Sequence, residues 1–369
     1  MKLLHCADIH LKRTEREYGL RVLEQIVAVA LRERVALVLL CGDVFDSFAD
    51  AEELRHAFGE RIAQCGCDVL FLQGNHDEKG AGRAGLATLD LGPVKTIVPA
   101  AGSTHTLLRH EHGNEAIEVL ALPHRTSYAD YTEWIVPEKQ TATRIALAHA
   151  VVEEMVYAGP QDADIEEGGG TIARDLFVRF GVSYGALGHI HAARDVRTGP
   201  SLLRYPGSAT VWRRGEEGPR SVTIVETNAG PAAPAVHEVV LDAAGQYRRC
   251  VVPLALDAAE PDLDTHAASW GPSDMVEVVL TGMVEDESGL ARLRDSLHSR
   301  YGGRCRSFSV DSSAVTSAPG ISSQPLAKRF LELWRALPDS DPDGPGEDVR
   351  NRARELMLKA MADAMRRHA

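Results

Sequence analysis

Five short motifs of aspartate, asparagine and histidine occur within the first 191 residues, and each directly follows a short apolar run. In chain order they are Asp8-Ile-His10 after LLHCA, GDVFD (42–46) after ALVLLC, GNHD (74–77) after DVLFLQ, His149 after RIALA and GHIH (188–191) after YGAL. Such oxygen and imidazole donors suit manganese, iron or zinc, and also magnesium, better than they suit a thiolate-type site. The motifs hold seven candidate ligands, more than one tetrahedral ion needs. This number favours two divalent ions that share a bridging carboxylate, about 3.5–4 Å apart.

The apolar runs before these motifs have the length and the β-branched content of buried strands. Strands are predicted at Leu3–Ala7, Ala36–Cys41, Asp68–Leu72, Ile117–Leu122, Arg144–Ala148 and Tyr184–Leu187. Segments with helical spacing, Leu20–Arg34 and Leu54–Ala63, separate several of them and indicate an α/β domain. Because the carboxyl ends of strands in α/β sheets converge on the ligand crevice, the motifs are expected to meet there. In extended backbone, the i,i+2 spacing of Asp8 with His10, and of His189 with His191, would place each pair on one face.

The composition is that of an ordinary globular protein. The chain has 369 residues, of which 44% are apolar and 25% are charged, and its net charge is −13. These values exclude a disordered, collagen-like or coiled-coil body, and the apolar runs are too short to span a bilayer. The N-terminal MKLLHCADIH meets Asp8 before a signal-peptide core could form, so we expect a cytoplasmic protein without a membrane partner. Taken alone, the acidic net charge argues against a nucleic-acid partner. The six cysteines lack the spacing of a disulfide framework or of a zinc site.

The ordered set of motifs resembles the calcineurin-like metallophosphoesterase superfamily, whose blocks are DxH, GDxxD, GNH[DE], H and GHxH. A YPGS-type strand follows GHIH at 204–208, which is similar to the repair-nuclease branch, represented by the SbcD subunit of SbcCD and the YhaO-like proteins. The resemblance implies an α/β fold: a β-sandwich flanked by helices, then a small α+β domain and a C-terminal pair of helices.

Carried over to the matching positions, the resemblance also implies a ligand set and a catalytic acid. The two ions would be held by Asp8, His10 and His191, and by Asn75, His149 and His189, with Asp43 bridging them. His76 would be the histidine that protonates the leaving oxygen without binding metal, and Asp77 would orient its imidazole.

The expected function is a two-metal-dependent DNA phosphodiesterase, an exo- or endonuclease that acts by hydroxide attack with His76 as general acid. It would be the nuclease subunit of an SbcCD-like double-strand-break repair complex, with manganese as the favoured metal. Two alternatives stay open. One is a small-molecule phosphodiesterase or phosphatase of the same superfamily, and the other is a non-catalytic scaffold subunit with a vestigial metal site.

Five arginines just past GHIH are candidate contacts for DNA phosphates, because basic clusters bind the nucleic-acid backbone. They are Arg194, Arg197, Arg204, Arg213 and Arg214. A solvated hairpin is the alternative interpretation of this cluster. Among the remaining polar residues, Asp46 is expected to orient a loop or to form an Asx turn, and His5 to be packed. His124 is expected at the surface or in the core, with an approach to the site as the alternative.

Breaks in composition predict four parts. They are a nuclease domain at 1–228, a small α+β domain at 235–311, a linker at 312–324 and a helix-loop-helix tail at 325–369. In the resembled family the tail docks on the coiled-coil base of an SMC-type ATPase of the SbcC kind, and amphipathic helices suit such docking. Packing of the tail against its own domains is the alternative, and a homodimer is also possible.

Overall fold

A computed structural model describes residues 1–78, 85–98, 104–125, 134–155, 170–228, 234–254, 260–285, 287–336 and 347–368. Two compact units are present, Met1–Gln246 and Tyr247–Ala369. The strands are β1 (Lys2–Cys6), β2 (Leu37–Cys41), β3 (Asp68–Leu72), β4 (Val94–Ile97), β5 (Thr106–His112), β6 (Glu115–Leu122), β7 (Thr143–His149), β8 (Val151–Val152), β9 (Thr171–Ile172), β10 (Tyr184–Gly188), β11 (Arg194–Thr198), β12 (Ser201–Tyr205), β13 (Ser221–Glu226), β14 (Ala235–Val240), β15 (Tyr247–Leu254), β16 (Met275–Val284) and β17 (Ser307–Ser317). The α-helices are α1 (Arg16–Glu33), α2 (Phe48–Ile62), α3 (Asn75–Glu78), α4 (Asp175–Arg179), α5 (Asp264–Ala267), α6 (Glu287–Tyr301), α7 (Pro325–Arg335) and α8 (Glu347–His368).

The first unit contains two six-stranded sheets. Their strand orders are β14-β13-β1-β2-β3-β4 and β11-β12-β10-β7-β6-β5. The central strands run parallel: β1 with β2, β2 with β3, and β6 with β7 and then β10. The six strands predicted from the apolar runs are therefore confirmed. The central strands of each sheet have their carboxyl ends at one edge, as the motifs require.

Alternation along β1 explains why the sheets form a sandwich. Leu3 and Ala7 belong to the apolar cluster between the two sheets, whereas Leu4 and Cys6 pack on the outer side with residues of α1 and α2. Successive side chains of a strand point to opposite faces, so one strand serves both layers. The predicted fold class, a β-sandwich flanked by helices, is confirmed.

His5 is packed between the sheets, as predicted. Its ring nitrogens lie 2.9 Å from the hydroxyl of Tyr184 and 3.1 Å from the carbonyl oxygen of Leu187. Burial lowers the pKa of His5 to about 3, because desolvation disfavours the imidazolium. His5 is therefore a neutral hydrogen-bonding residue of the core.

The predicted boundary of the first domain at residue 228 is wrong. Strand β14 pairs with β13 in antiparallel register from Ala235 to Val240, so the strand after the proline-rich break completes the first sheet. The first unit accordingly extends to Gln246. Composition marked a break in the chain, but it could not show that the next strand pairs with the sheet that the chain had just left.

The second unit contains a sheet of three parallel strands, in the order β15-β16-β17. The predicted linker over 312–324 is wrong in its first half. Strand β17 continues to Ser317, which pairs with Val284 of β16. The serine-rich segment looked like a linker because polar residues also suit a strand that is exposed along one edge.

Helices α7 and α8 pack against residues of their own unit. Their buried side chains join one apolar cluster with Met283 and Ile321: Ala327, Leu331, Leu358 and Ala362. The segment predicted to separate the two helices, 338–346, lies outside the described residues. Within the part of the chain that the structure describes, no helix is long and apolar enough to cross a membrane.

A buried ion pair between β6 and β7 gives a test of the fold. Glu118 and Arg144 face each other at 2.8 Å and are 5% and 1% exposed. Replacing Glu118→Ala would leave the guanidinium buried without its counter-charge, so we expect a loss of about 3–5 kcal/mol in the free energy of unfolding. Urea unfolding of the full chain measures it.

The matched control is Glu111→Ala, which removes the exposed pair of Glu111 with Arg109. That change should cost at most about 1 kcal/mol. Equal losses for the two variants would contradict a structural role for the buried pair.

Candidate metal centre

The polar side chains of all five motifs meet where strands of both sheets end. Strands β1, β2 and β3 of the first sheet lead into Asp8, Asp43 and Asn75, whereas β7 ends at His149 and β10 leads into His189. The carboxylates and imidazoles among the predicted ligands are at most 4% exposed. Burial of so many polar groups in one place is costly unless they compensate each other or share a ligand.

Left-handed backbone places several of these side chains. Asp8, His10, Asp43 and His189 have φ values of +52°, +48°, +50° and +98°. The prediction that Asp8 and His10 share a face through extended backbone is therefore wrong in its reason, although the two side chains do converge. Their amides are held by the next loop, since Asp8 donates to the carbonyl of Gly42 at 3.1 Å and His10 to that of Asp43 at 2.9 Å. Such conformations cost about 1–3 kcal/mol each and cluster at functional sites.

Asp8, His10 and His191 form one group of donors. The Nε2 atoms of the two histidines lie 3.2 Å apart, and an oxygen of Asp8 lies 3.9 Å from Nε2 of His191. One ligand atom from each residue falls within 4.8 Å of the others. We call these three residues trio A.

Asn75, His149 and His189 form a second group, which we call trio B. The side-chain oxygen of Asn75 lies 2.9 Å from Nε2 of His149 and 3.3 Å from Nδ1 of His189. Asp43 lies between the two groups, because its Oδ2 is 3.3 Å from Nε2 of His149 and 3.9 Å from Nε2 of His10. The structure thus brings all seven residues predicted as ligands to one place, and their division between two ions stays a prediction.

The donor set fits two divalent ions. Several lone-pair atoms face one another at 3–4 Å, which is the spacing of ligands around a shared cation. Within the described residues, Nε2 of His189 is buried without a hydrogen-bond partner. Carboxylate, amide oxygen and imidazole are ligands for manganese, iron or zinc.

Charges inside the cluster are strongly coupled in the protein without ions. Burial would raise the pKa of Asp43, but the adjacent His149 outweighs it and holds that pKa well below its usual range. Burial lowers the pKa of His149, yet the Asp43 carboxylate outweighs this and raises it to about 10. A proton on His149 therefore supplies positive charge next to Asp43.

The role predicted for Asp77 is wrong. Its carboxylate accepts hydrogen bonds from the backbone amides of Phe45 at 3.1 Å and Gly74 at 2.9 Å, and so joins the GDVFD and GNHD loops. The residue that orients His76 is Asp46, whose carbonyl oxygen lies 3.0 Å from Nδ1 of His76. Asp77 thus holds the GDVFD and GNHD loops together. The imidazole of His76 is held by the backbone of Asp46, in the GDVFD motif.

Two residues at the centre, Glu216 and Trp212, escaped sequence reasoning. The carboxylate of Glu216 lies 2.5 Å from Nδ1 of His191. The ring of Trp212 stacks on His10 with centroids 4.6 Å apart. Nδ1 of His124 lies 3.0 Å from the carbonyl oxygen of His149, so of the two predicted places for His124 the structure shows the one beside the site.

The predicted DNA contact of Arg204 is wrong. Arg204 is 6% exposed, donates to the hydroxyl of Thr223 at 2.9 Å and pairs with Glu238, and it therefore fastens the two sheets together. Arg194 is half-buried and donates to the carbonyl of Met155 at 3.0 Å. The exposed members of the predicted cluster are Arg197 and Arg214, and Arg213 is half-buried with its guanidinium 5.4 Å from the ring centroid of Trp212.

A family model described as calcineurin-like phosphoesterase matches residues 1–193, more than half of the chain. The chain belongs to this family. It is therefore a metal-dependent phosphoesterase, and the residues gathered at the strand ends are candidate ligands for the dinuclear metal site of the family. The predictions of family, fold class and hydrolase activity are confirmed.

Two named relatives are similar to part of this phosphoesterase. DNA double-strand break repair protein Mre11 from Aeropyrum pernix is 26% identical over 272 residues, which cover 67% of this chain and 62% of that protein. The SbcD subunit of the nuclease SbcCD from Escherichia coli is 28% identical over 135 residues, which cover 33% of this chain and 32% of that protein. The chain thus spans at most 62% of the length of these curated relatives.

Among solved structures, a dimetal phosphatase from Danio rerio is similar to this chain with a TM-score of 0.41 and 12% sequence identity. The similarity covers 65% of this chain and 98% of that chain.

Close approach of the two sheets at the centre gives a sharp test. A Cβ atom on Gly188 would lie 1.8 Å from the carbonyl oxygen of Cys41 and 2.8 Å from Nδ1 of His149. We expect Gly188→Ala to separate the sheet ends and to lower Mn²⁺ affinity at least about 10-fold, as disturbed ligand support does elsewhere. Isothermal titration with Mn²⁺ measures the affinity.

Gly303→Ala is the matched control, since a Cβ there would meet nothing within 4 Å. It should bind Mn²⁺ as the wild type does. Unchanged affinity in Gly188→Ala would show that the sheet ends do not need this contact.

Proposed function

We propose that this phosphoesterase is a two-metal-dependent DNA phosphodiesterase with exo- or endonuclease activity, the nuclease subunit of an SbcCD-like repair complex. The observation that carries the proposal is the convergence of seven metal-type donors beside His76. The similarity to proteins named as part of a nuclease and as a double-strand break repair protein supports DNA as the substrate.

In this proposal trio A holds one ion, trio B holds the other, and Asp43 bridges them. Two divalent ions, most suitably Mn²⁺, would neutralise the anionic phosphodiester and make hydroxide available near neutral pH. The protein contributes the geometry. The buried donors already face one another at 2.9–3.9 Å, so little rearrangement is needed on binding.

His76 is proposed to give a proton to the leaving oxygen. Its Nδ1 lies 3.0 Å from a carbonyl oxygen of Asp46, which can only accept, so Nδ1 carries a hydrogen in either protonation state. Nε2 is therefore the nitrogen that gains and loses the proton. The ring lies 4.8 Å from the ring of His10, next to trio A, where a bound phosphodiester would be cleaved.

The basic rim beside the centre is proposed to contact DNA phosphates. Lys12, which follows the first motif, has its ammonium 5.3 Å from the ring centroid of Trp212 and 3.7 Å from Asp46. Together with Arg213, whose guanidinium lies 5.4 Å from the same ring centroid, it places positive charge beside Trp212. Arg214 is the exposed next residue of the chain. Arg197 and Arg194 remain further candidates on the hairpin after GHIH. Such contacts position the backbone without reading sequence.

The C-terminal helices are proposed to dock on an SMC-type coiled-coil ATPase of the SbcC kind. One face of α7 packs against its own unit, where Leu331 is 5% exposed. On the same helix, Leu326 and Leu333 are 69% and 54% exposed and remain accessible to a partner. On α8, Leu356 and Met357 are also about half exposed. An amphipathic helix with such anchors suits a hydrophobic groove.

Two substitutions separate proton transfer from metal binding. We expect His76→Gln to lose about 10²–10⁴-fold in turnover of linear DNA with Mn²⁺ while keeping Mn²⁺ affinity, because it removes only the acid. Asp43→Asn should lose both turnover and Mn²⁺ binding. A nuclease assay together with Mn²⁺ titration checks both expectations.

His112→Gln, at an exposed histidine of β5, is the control and should behave as the wild type does. If the purified protein hydrolyses a small phosphodiester efficiently but never cuts DNA, with or without an ATPase partner, the substrate assignment fails. If it binds Mn²⁺ and hydrolyses neither substrate, the scaffold alternative gains support.

The tail gives a separate prediction. Leu333→Asp changes an exposed side chain, so we expect unchanged thermal unfolding and unchanged Mn²⁺-dependent DNA cleavage by the isolated chain. Binding to an SbcC-type ATPase of the same organism, measured by co-purification, should be lost. Leu331→Asp, at the buried position two residues earlier, should instead lower the unfolding temperature. Retained ATPase binding by Leu333→Asp would contradict this docking face.

A further inference from the structure

The two groups of donors differ in the residues that contact the outer ring nitrogen of each histidine, the one that faces away from the other ligands. In trio A, a buried carboxylate lies against the outer nitrogen of His191, because Glu216 Oε1 is 2.5 Å from Nδ1 and Glu216 is 1% exposed. The only ring nitrogen of His191 that faces Asp8 and His10 is then Nε2. A carboxylate at Nδ1 fixes the tautomer and the ring orientation of a ligating histidine and raises its basicity.

Glu216 is itself held firmly. Its second oxygen accepts hydrogen bonds from the backbone amides of Trp212 at 2.8 Å and Arg213 at 3.3 Å, and the guanidinium of Arg220 lies 3.9 Å away. Arg220 in turn donates to three backbone carbonyls of the same turn, at 2.7–3.3 Å. The turn over 212–220 thus presents one carboxylate to one histidine in a fixed direction.

Trp212 connects this turn to the other histidine of trio A. Its indole nitrogen donates to Asp46 Oδ1 at 2.6 Å, and that oxygen lies 3.3 Å from Nδ1 of His10. The indole ring also stacks on His10 with centroids 4.6 Å apart and an interplanar angle of 24°, and it meets His191 edge-on at 5.2 Å. Both imidazoles of trio A are therefore packed against one tryptophan. A carboxylate contacts Nδ1 of His191, whereas Nδ1 of His10 lies near Asp46 but has no hydrogen-bond partner among the described residues.

Trio B has weaker support. Nδ1 of His149 contacts the carbonyl oxygen of Cys41 at 2.9 Å, and the nearest Asp8 oxygen is 4.0 Å away, beyond hydrogen-bond distance. The third donor, Asn75, is neutral, whereas the third donor of trio A is the carboxylate of Asp8.

We propose that Glu216 is a positioning residue that makes trio A the tighter of two unequal metal sites, with Trp212 as its link to Asp46 and His10. This inference rests on the proposed two-ion centre. The ion at trio A should stay bound at Mn²⁺ concentrations at which the ion at trio B exchanges, because trio A carries more negative charge and more rigid ligands.

Mn²⁺ titration of the full chain, by calorimetry and by electron paramagnetic resonance of free Mn²⁺, tests the inference. Wild type should bind two ions in two affinity classes. Glu216→Gln, which keeps the side-chain volume but removes the charge, should weaken the tighter class about 10–100-fold. It should leave the weaker class within about twofold. The matched control Glu217→Gln alters the exposed neighbouring carboxylate and should change neither class.

A double-mutant cycle assigns the effect to one histidine. In a His189→Gln background, which weakens trio B, adding Glu216→Gln should still lower the affinity of the remaining ion about 10–100-fold. In a His191→Gln background it should have no further effect. Urea unfolding of each variant in ion-free buffer measures the stability cost separately, because Glu216→Gln also removes the charge that pairs with the buried Arg220. The pattern of Mn²⁺ affinities in the two backgrounds is what tests the positioning role.

Three results overturn the inference. They are equal affinity in wild type and Glu216→Gln, equal weakening of both classes, and an equal effect of Glu216→Gln with and without His191. A wild type that binds fewer than two ions contradicts the two-ion centre itself. Normal two-ion binding without DNA cleavage contradicts only the proposed substrate.

Discussion

The approach of two sheets at their carboxyl ends is the constraint on which the centre depends. Glycine at 188 lets the second sheet reach the carbonyl of Cys41 at the end of β2, where a Cβ would lie 1.8 Å away. That contact brings His149 within 3.3 Å of Asp43, a residue of the opposite sheet. The donor geometry and the interacting charges follow from this meeting, because each group takes ligands that follow strands of both sheets.

Much of this arrangement could be predicted from the sequence, for a physical reason. The position of a polar motif that directly follows a parallel strand can be predicted, since the carboxyl ends of all such strands lie at the same edge of the sheet. The resemblance of the ordered motifs to the metallophosphoesterase superfamily then implied which residues would hold each ion. The local path could not be predicted in the same way. Asp8 and His10 converge through left-handed backbone, and spacing alone suggested extended backbone.

Residues that support the ligands were harder to predict because their partners are remote. Glu216 follows His191 by 25 positions and lies in an arginine-rich turn, where it looked like one solvated charge among several. Arg204 shows the opposite error, since the same cluster suggested an exposed cation and the structure buries it between the sheets. Charge patterns report composition along the chain. They do not show which charged side chain of a cluster becomes buried when the chain folds.

The acidic net charge of −13 illustrates the same point on a larger scale. Charge acts over about 8–10 Å at physiological ionic strength, so a substrate senses the groups near the centre more than the total. Buried there are the carboxylates of Asp8, Asp43 and Glu216, which face imidazoles and a candidate cation site rather than solvent. At the rim, Lys12 and Arg213 both lie within 5.4 Å of the ring centroid of Trp212. The charges next to the centre, rather than the net charge of the whole chain, therefore decide how the site meets an anionic phosphoester.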